Sequence, residues 1–197
     1  MLILIRNVLM ALTVLLGLAA LPIASANAGT TATGRSGETY TAEEIVSKGH
    51  KVFGRTTKEV ASVVEYAFQR NGEPNGYIVG EEGSGAIIGG LRYGEGTLFM
   101  KNGFRKKVYW QGPSIGMDFG GNGSRVLVLV YGLQHPDDLL ARFAGIEGTA
   151  YVVGGLGVNF QQYGNVKLAP IRTGLGFRLG LNAGYLKYSD TPRWNPF

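Results

Sequence analysis

The segment Val126-Leu127-Val128-Leu129-Val130-Tyr131 is apolar on both faces of a β-strand. Side chains alternate across a strand, so such a run needs cover on both sides. A second segment says what kind of sheet supplies it. Leu175, Phe177, Leu179, Leu181, Ala183 and Tyr185 fall on one face of a strand, and Gly174, Gly176, Arg178, Gly180, Asn182 and Gly184 on the other. Glycine at alternate positions leaves one face bare and permits tight coiling or the close approach of another element. Repeated across several strands, this pattern predicts a curved sheet that closes on itself. It also gives a use to the 32 glycines among 197 residues, more than twice the average share of about 7%.

Outward from these segments the period changes once. Before Pro74 it is helical. Thr41 and Glu44 form a capping box, followed by Ile45, Val46, Gly49, Val52 and Phe53 at helical spacing. Thr56 and Glu59 repeat the signature, and Val60, Val63, Val64, Ala67 and Phe68 give the stripe of a second helix, which stops near Asn71-Gly72. After Pro74 short strands are expected at residues 77–79, 86–88, 96–101, 104–111, 114–120 and 149–160. Asn102-Gly103 predicts a type I′ hairpin turn. Pro136, with Asp137 and Asp138 behind it, starts one inserted short helix whose inner face is Leu139, Leu140 and Phe143, with Gly145 as its stop. The fold class expected is α+β, mainly β: a small soluble antiparallel β-barrel or barrel-like sheet with two N-terminal helices and one inserted short helix.

The N-terminus reads as an address. Arg6 precedes an apolar run over residues 8–21, Pro22 breaks it, and Ala24-Ser25-Ala26 and Ala26-Asn27-Ala28 offer small-residue cleavage sites. The run is short against the roughly 20 residues of a membrane-spanning helix. Residues 1–28 are therefore expected to be a signal peptide, 29–39 a flexible Gly/Thr/Ser leader and 40–197 a single domain, placed by export in the periplasm.

Composition removes much chemistry. With no Cys there is no disulfide, thiolate metal site or cysteine nucleophile, and two His are too few for a three-His metal site. Gly83-Ser84-Gly85 and Gly121-Asn122-Gly123-Ser124 lack the nucleophile-elbow spacing and read as turns. Gly155-Leu156-Gly157 and Gly174-Leu175-Gly176 have no helix behind them and read as strand glycine. His50, beside a helical stripe, and His135, ahead of Pro136, read as structural. Asp118 and Glu147 are the carboxylates an enzyme would draw on, but neither has a partner visible in the sequence. Expected, then, is no catalytic residue, no metal and no cofactor. The local cluster that suits binding is Arg105, Lys106, Lys107, Tyr109 and Trp110. Cations beside amphipathic rings fit a lipid–water interface, with the rings at headgroup level and the cations near phosphates. The net charge of +5 is mildly consistent with an anionic partner.

Two resemblances follow from residues 113–160. Pro113-Ser114-Ile115-Gly116-Met117-Asp118-Phe119-Gly120-Gly121, the apolar strand at Val126, then Asp138-Leu139-Leu140-Ala141-Arg142-Phe143 and Glu147-Gly148-Thr149-Ala150-Tyr151-Val152-Val153-Gly154-Gly155 resemble, in order, the SYLF lipid-binding domain. That family's phosphoinositide ligand is generally lacking in bacteria and is not carried over. Ile146-Glu147-Gly148-Thr149-Ala150-Tyr151 and Gly154-Gly155-Leu156-Gly157-Val158-Asn159 carry a closer resemblance to the EipA-like periplasmic envelope-integrity family of alphaproteobacteria, over about residues 40 to 188. This resemblance implies a compact soluble barrel with a role in envelope integrity, and it transfers no catalytic residue. Together these readings predict a non-enzymatic protein that binds lipid or another envelope component, with peripheral membrane contact and no nucleic-acid partner. An integral outer-membrane barrel and an envelope-glycan enzyme are the alternatives.

Overall fold

In the computed structural model, residues 38–54, 57–85, 91–113, 124–173 and 184–195 are described. The expected signal peptide, most of the leader, Thr56 of the second capping box, and the segments at 86–88, 114–120 (with Asp118) and 174–183 lie outside them.

Among the described residues two helices come first, α1 (Ala42–Phe53) and α2 (Thr57–Asn71). The box on α1 forms as the sequence implies: Thr41 Oγ1 accepts from the Glu44 N–H, and Glu44 Oε2 accepts from the Thr41 N–H. Gly54 ends the helix at φ 58°, its N–H donating to the His50 carbonyl. Ten strands follow: β1 (Gly76–Gly85), β2 (Leu91–Met100), β3 (Arg105–Pro113), β4 (Ser124–Tyr131), β5 (Arg142–Gly145), β6 (Tyr151–Val153), β7 (Leu156–Val158), β8 (Gln161–Tyr163), β9 (Val166–Thr173) and β10 (Tyr185–Ser189). Eight of them run round in the order β4-β1-β2-β3-β10-β5-β8-β9, and β9 pairs back onto β4, so the antiparallel sheet is a closed barrel. The β6–β7 hairpin is an extension paired to the far half of β9.

The two-sided strand at Val126 explains the layering. Val126, Val128 and Val130 point into the barrel, among Ile78, Leu98, Val108, Phe143, Leu168 and Leu186. Leu127, Leu129 and Tyr131 point outward and meet Ile45, Val52, Val60, Val63, Val64 and Ala67 of the two helices. The strand is buried on both faces because the barrel fills one side and the helix pair covers the other. Gly49 lets α1 and α2 touch, since a Cβ there would stand 2.5 Å from Val60 Cγ1.

Three local expectations are corrected. The inserted helix is one 3₁₀ turn, Pro136–Leu139. Phe143, assigned to its inner face, lies in β5, opposite Leu186 of β10, because the ring needs a strand there to close. The Asn102-Gly103 turn is not type I′. That turn needs positive φ at both central residues, and among the described residues, Asn102 included, no non-glycine residue has positive φ. Instead Met100 and Phe104 close a three-residue loop with Gly103 at φ 91°, and the Asn102 side chain accepts from the Phe104 N–H. Finally, strands β8 and β9 lie in a stretch for which the sequence predicts no strand.

Glycine does serve the barrel's curvature, at particular places. Gly80 and Gly94 face inward from β1 and β2, and the Trp110 indole lies across them from β3. A Cβ on Gly94 would run into the indole, and one on Gly80 would stand 2.8 Å from Trp110 Cη2. Gly83 has nothing within 4 Å of its Cβ position. Gly94→Val should therefore cost about 1–3 kcal/mol through overpacking and red-shift the buried tryptophan emission. Gly83→Ala should leave the unfolding free energy from urea titration within about 0.5 kcal/mol of the parent. Equal effects of the two substitutions would remove the assigned role of Gly94.

Candidate functional site

The five residues of the basic–aromatic cluster do not form one surface. They lie on β3, and the period of 2 divides them. Arg105, Lys107 and Tyr109 face outward, whereas Lys106 and Trp110 share the inward face. Trp110 is 1% exposed, which overturns its assignment to a headgroup interface. Lys106, at the barrel end, pairs with Asp137 at 2.6 Å. On the outer face the Arg105 guanidinium lies over the Phe99 ring, and the Lys107 ammonium lies over Tyr109 and pairs with Glu95 at 3.0 Å.

Trp110 belongs to a polar cluster inside the barrel. Its Nε1 donates to Glu82 Oε2 at 3.2 Å. Arg172 Nε donates to Glu82 Oε1, and Arg172 Nη1 donates to Asn159 Oδ1 at 3.1 Å. Arg92 stands 3.8 Å from the same carboxylate. Burial alone would raise the Glu82 pKa; the charges of Arg172 and Arg92, with hydrogen bonds from Arg172 and Trp110, outweigh it and hold the carboxyl below its ordinary range. Burial pushes the nearby Tyr188 hydroxyl well above the ordinary phenol range. An ionised Glu82 locked between guanidiniums is suited to hold strands β1, β2, β3 and β9 together, not to exchange protons. The sequence gives little warning of it, because Glu82 and Arg172 are 90 residues apart.

The accessible recess lies on the other side of the same wall. Glu81 and Gly83 of β1, Tyr93 and Glu95 of β2, and Tyr109 and Gln111 of β3 are outward residues in register with one another. The chain returns over them after β10, where Pro192, Arg193 and Trp194 complete a cleft of about 320 Å³. The Tyr93 hydroxyl donates to the Trp194 carbonyl at 2.8 Å, and the two rings lie 5.8 Å apart. Trp194 is 85% exposed. Gln111 is 1% exposed, yet its Nε2 has no hydrogen-bond partner. Of the remaining sequence candidates, Glu147 sits exposed in a turn, and His50 lines a groove between α1 and α2 with its Nε2 unpaired. Among the described residues no group of three or more His, Asp or Glu is placed to hold a metal ion.

The buried pair yields a prediction with a defined sign. Glu82→Gln leaves Arg172 buried without its counter-charge and should cost about 3–5 kcal/mol. Because the folded-state pKa of Glu82 is lowered, its contribution is present above the unfolded-state value near the ordinary Glu pKa and is lost as pH falls through the folded-state value. Urea unfolding followed as a function of pH should show a shallower acid limb in the variant than in the parent. Parallel limbs would mean that Glu82 does not titrate with folding.

Residues 38–197 match the family described as envelope integrity protein A. No curated protein matches the chain. Among solved structures it is similar to a beta-barrel-like, uncharacterized protein from Brucella abortus. The two are 60% identical, the match covers 81% of this chain and 99% of the other, and the TM-score is 0.76. The chain belongs to the envelope integrity protein A family.

Proposed function

We propose that this chain acts in the periplasm as a non-enzymatic binding protein, supporting the envelope by holding a lipid or another envelope component on the outer wall formed by β1, β2 and β3. The observation behind this reading is the division of space between the two sides of that wall. The inside is filled by Trp110, Phe143, Leu98 and their neighbours, and its carboxylate is held by two arginines. The outside offers a recess lined by Tyr109 and the exposed Trp194 and, beside it, Arg105, Lys107 and the exposed ring of Phe104. Aromatic rings next to cations suit a peripheral contact with an anionic envelope surface.

An integral outer-membrane barrel is the less favoured reading. Such barrels turn apolar side chains to lipid and polar ones inward. Here the interior is largely apolar, and Glu81, Glu95, Arg105, Lys107 and Arg142 are exposed on the outside.

Protein purified from cells should carry an extractable envelope molecule by mass spectrometry, and it should float with phosphatidylglycerol-containing vesicles at low salt. Raising the salt to about 0.5 M, where screening is strong, should release it. Arg105→Ala with Lys107→Ala should weaken flotation several-fold, whereas Lys106→Ala should leave it unchanged, since that ammonium is turned away and paired. The reading fails if the protein carries nothing and neither vesicles nor isolated envelope polymers retain it.

A further inference from the structure

We propose that the cleft between the β1–β3 wall and Pro192–Trp194 is a saccharide site that takes a pyranose unit of an envelope glycan. This deepens the binding role proposed above and rests on it. A pyranose has an apolar C–H face and a rim of hydroxyls. The cleft offers a match to each. Tyr93, Tyr109 and Trp194 supply aromatic surface, and the pocket is lined chiefly by apolar atoms around a few polar groups, in a volume at the lower end of the range for small ligands, about 300–1,000 Å³. Gly83, with no side chain and nothing within 4 Å of its Cβ position, leaves the floor open for a flat ring.

The polar groups select among ligands. Gln111 Nε2 is a buried donor with no partner, and a buried donor left unpaired costs about 1–3 kcal/mol. A hydroxyl or ring oxygen would satisfy it, whereas an acyl chain would leave it unpaired and gain nothing from it. Glu81 and Glu95 stand at the rim, exposed, as acceptors for hydroxyl groups. Arg193 also lines the cleft and Lys107 pairs with Glu95, so the rim carries both signs, and it is the unpaired Gln111 donor that favours a hydroxyl-bearing ligand over an acyl chain. The cations Arg105 and Lys107 lie farther along β3, toward the loop at Gly103. Lys107 reaches the rim, where it pairs with Glu95, and Arg105 lies beyond it.

The reporter is built in. Trp194 is 85% exposed and Trp110 only 1%, so protection from acrylamide quenching reports on Trp194. Three probes distinguish the source of the sugar: disaccharide fragments of peptidoglycan, the lipid-free saccharide released from lipopolysaccharide, and intact lipopolysaccharide in vesicles. At least one should give saturable protection and a blue shift. Trp194→Phe should keep the binding, measured by calorimetry, while Trp194→Ala and Gln111→Leu each weaken it at least tenfold. Gly83→Phe fills the floor from an unhindered position and should abolish binding without lowering the melting temperature. No saturable response to any probe overturns the proposal, and so does binding that survives both Trp194→Ala and Gly83→Phe. Flotation on sugar-free anionic vesicles is the separate reading of the broader role: if it persists while every saccharide fails, only the saccharide site is lost.

Discussion

The barrel depends on the ladder between β4 and β9, in which Val126 to Tyr131 pair with Lys167 to Arg172 in reverse order. Strand β9 is the member that turns a curved sheet into a ring. On its other side it is shared: β8 pairs with Val166 to Leu168, and β7 with Ile171 to Thr173. Ala169 and Pro170 fall between those two ladders. Proline has no N–H to donate, and this gap is where a strand bordered on both sides can tolerate it.

Closure sets the terms for everything packed on it. With the ring shut, the β4 side chains are sorted into an interior set and a set beneath the helices, and α1 and α2 become a lid on one outer wall. Lys101, at the turn after β2, pairs with Glu44 of the capping box at 2.7 Å, so the start of α1 is tied to the loop that joins β2 and β3. The inward glycines of β1 and β2 admit Trp110, and Trp110 reaches Glu82. A large ring, two bare positions and one carboxylate thus form a single packing unit. The helices cover the outer face at Tyr77, Val79 and Phe99, and the cleft forms beyond them, at Gly83, Tyr93 and Tyr109.

Much of the fold was readable in order along the chain. The capping box at Thr41, the two helical stripes and the two-sided strand each depend on neighbours a few residues away, so local periodicity reports them. The same is not true of β9. Val166-Lys167-Leu168-Ala169-Pro170-Ile171 reads as a poor strand because Pro170 interrupts it, and only the gap between β8 and β7 makes it acceptable. The 3₁₀ turn at Pro136 looks like a longer helix for the converse reason. Leu139 and Phe143 have helical spacing, but Phe143 is claimed by the ladder with β10.

The candidate site shows the same division. The run Arg105-Lys106-Lys107-Val108-Tyr109-Trp110 is contiguous in sequence, and contiguity alone makes it look like one patch. Strand pleat sends alternate members to opposite sides of the wall. The cleft, by contrast, draws Gly83, Tyr93 and Gln111 from three strands and Trp194 from the tail, and no spacing along the chain relates them. The helices, the strand-rich remainder, the curved sheet and the need for two apolar layers are legible along the chain, because they follow from short-range periodicity and backbone freedom. Which strands close the ring, the Glu82–Arg172 pair and the cleft are visible only in the tertiary structure, because each joins residues far apart in the chain that meet only when β4 and β9 pair.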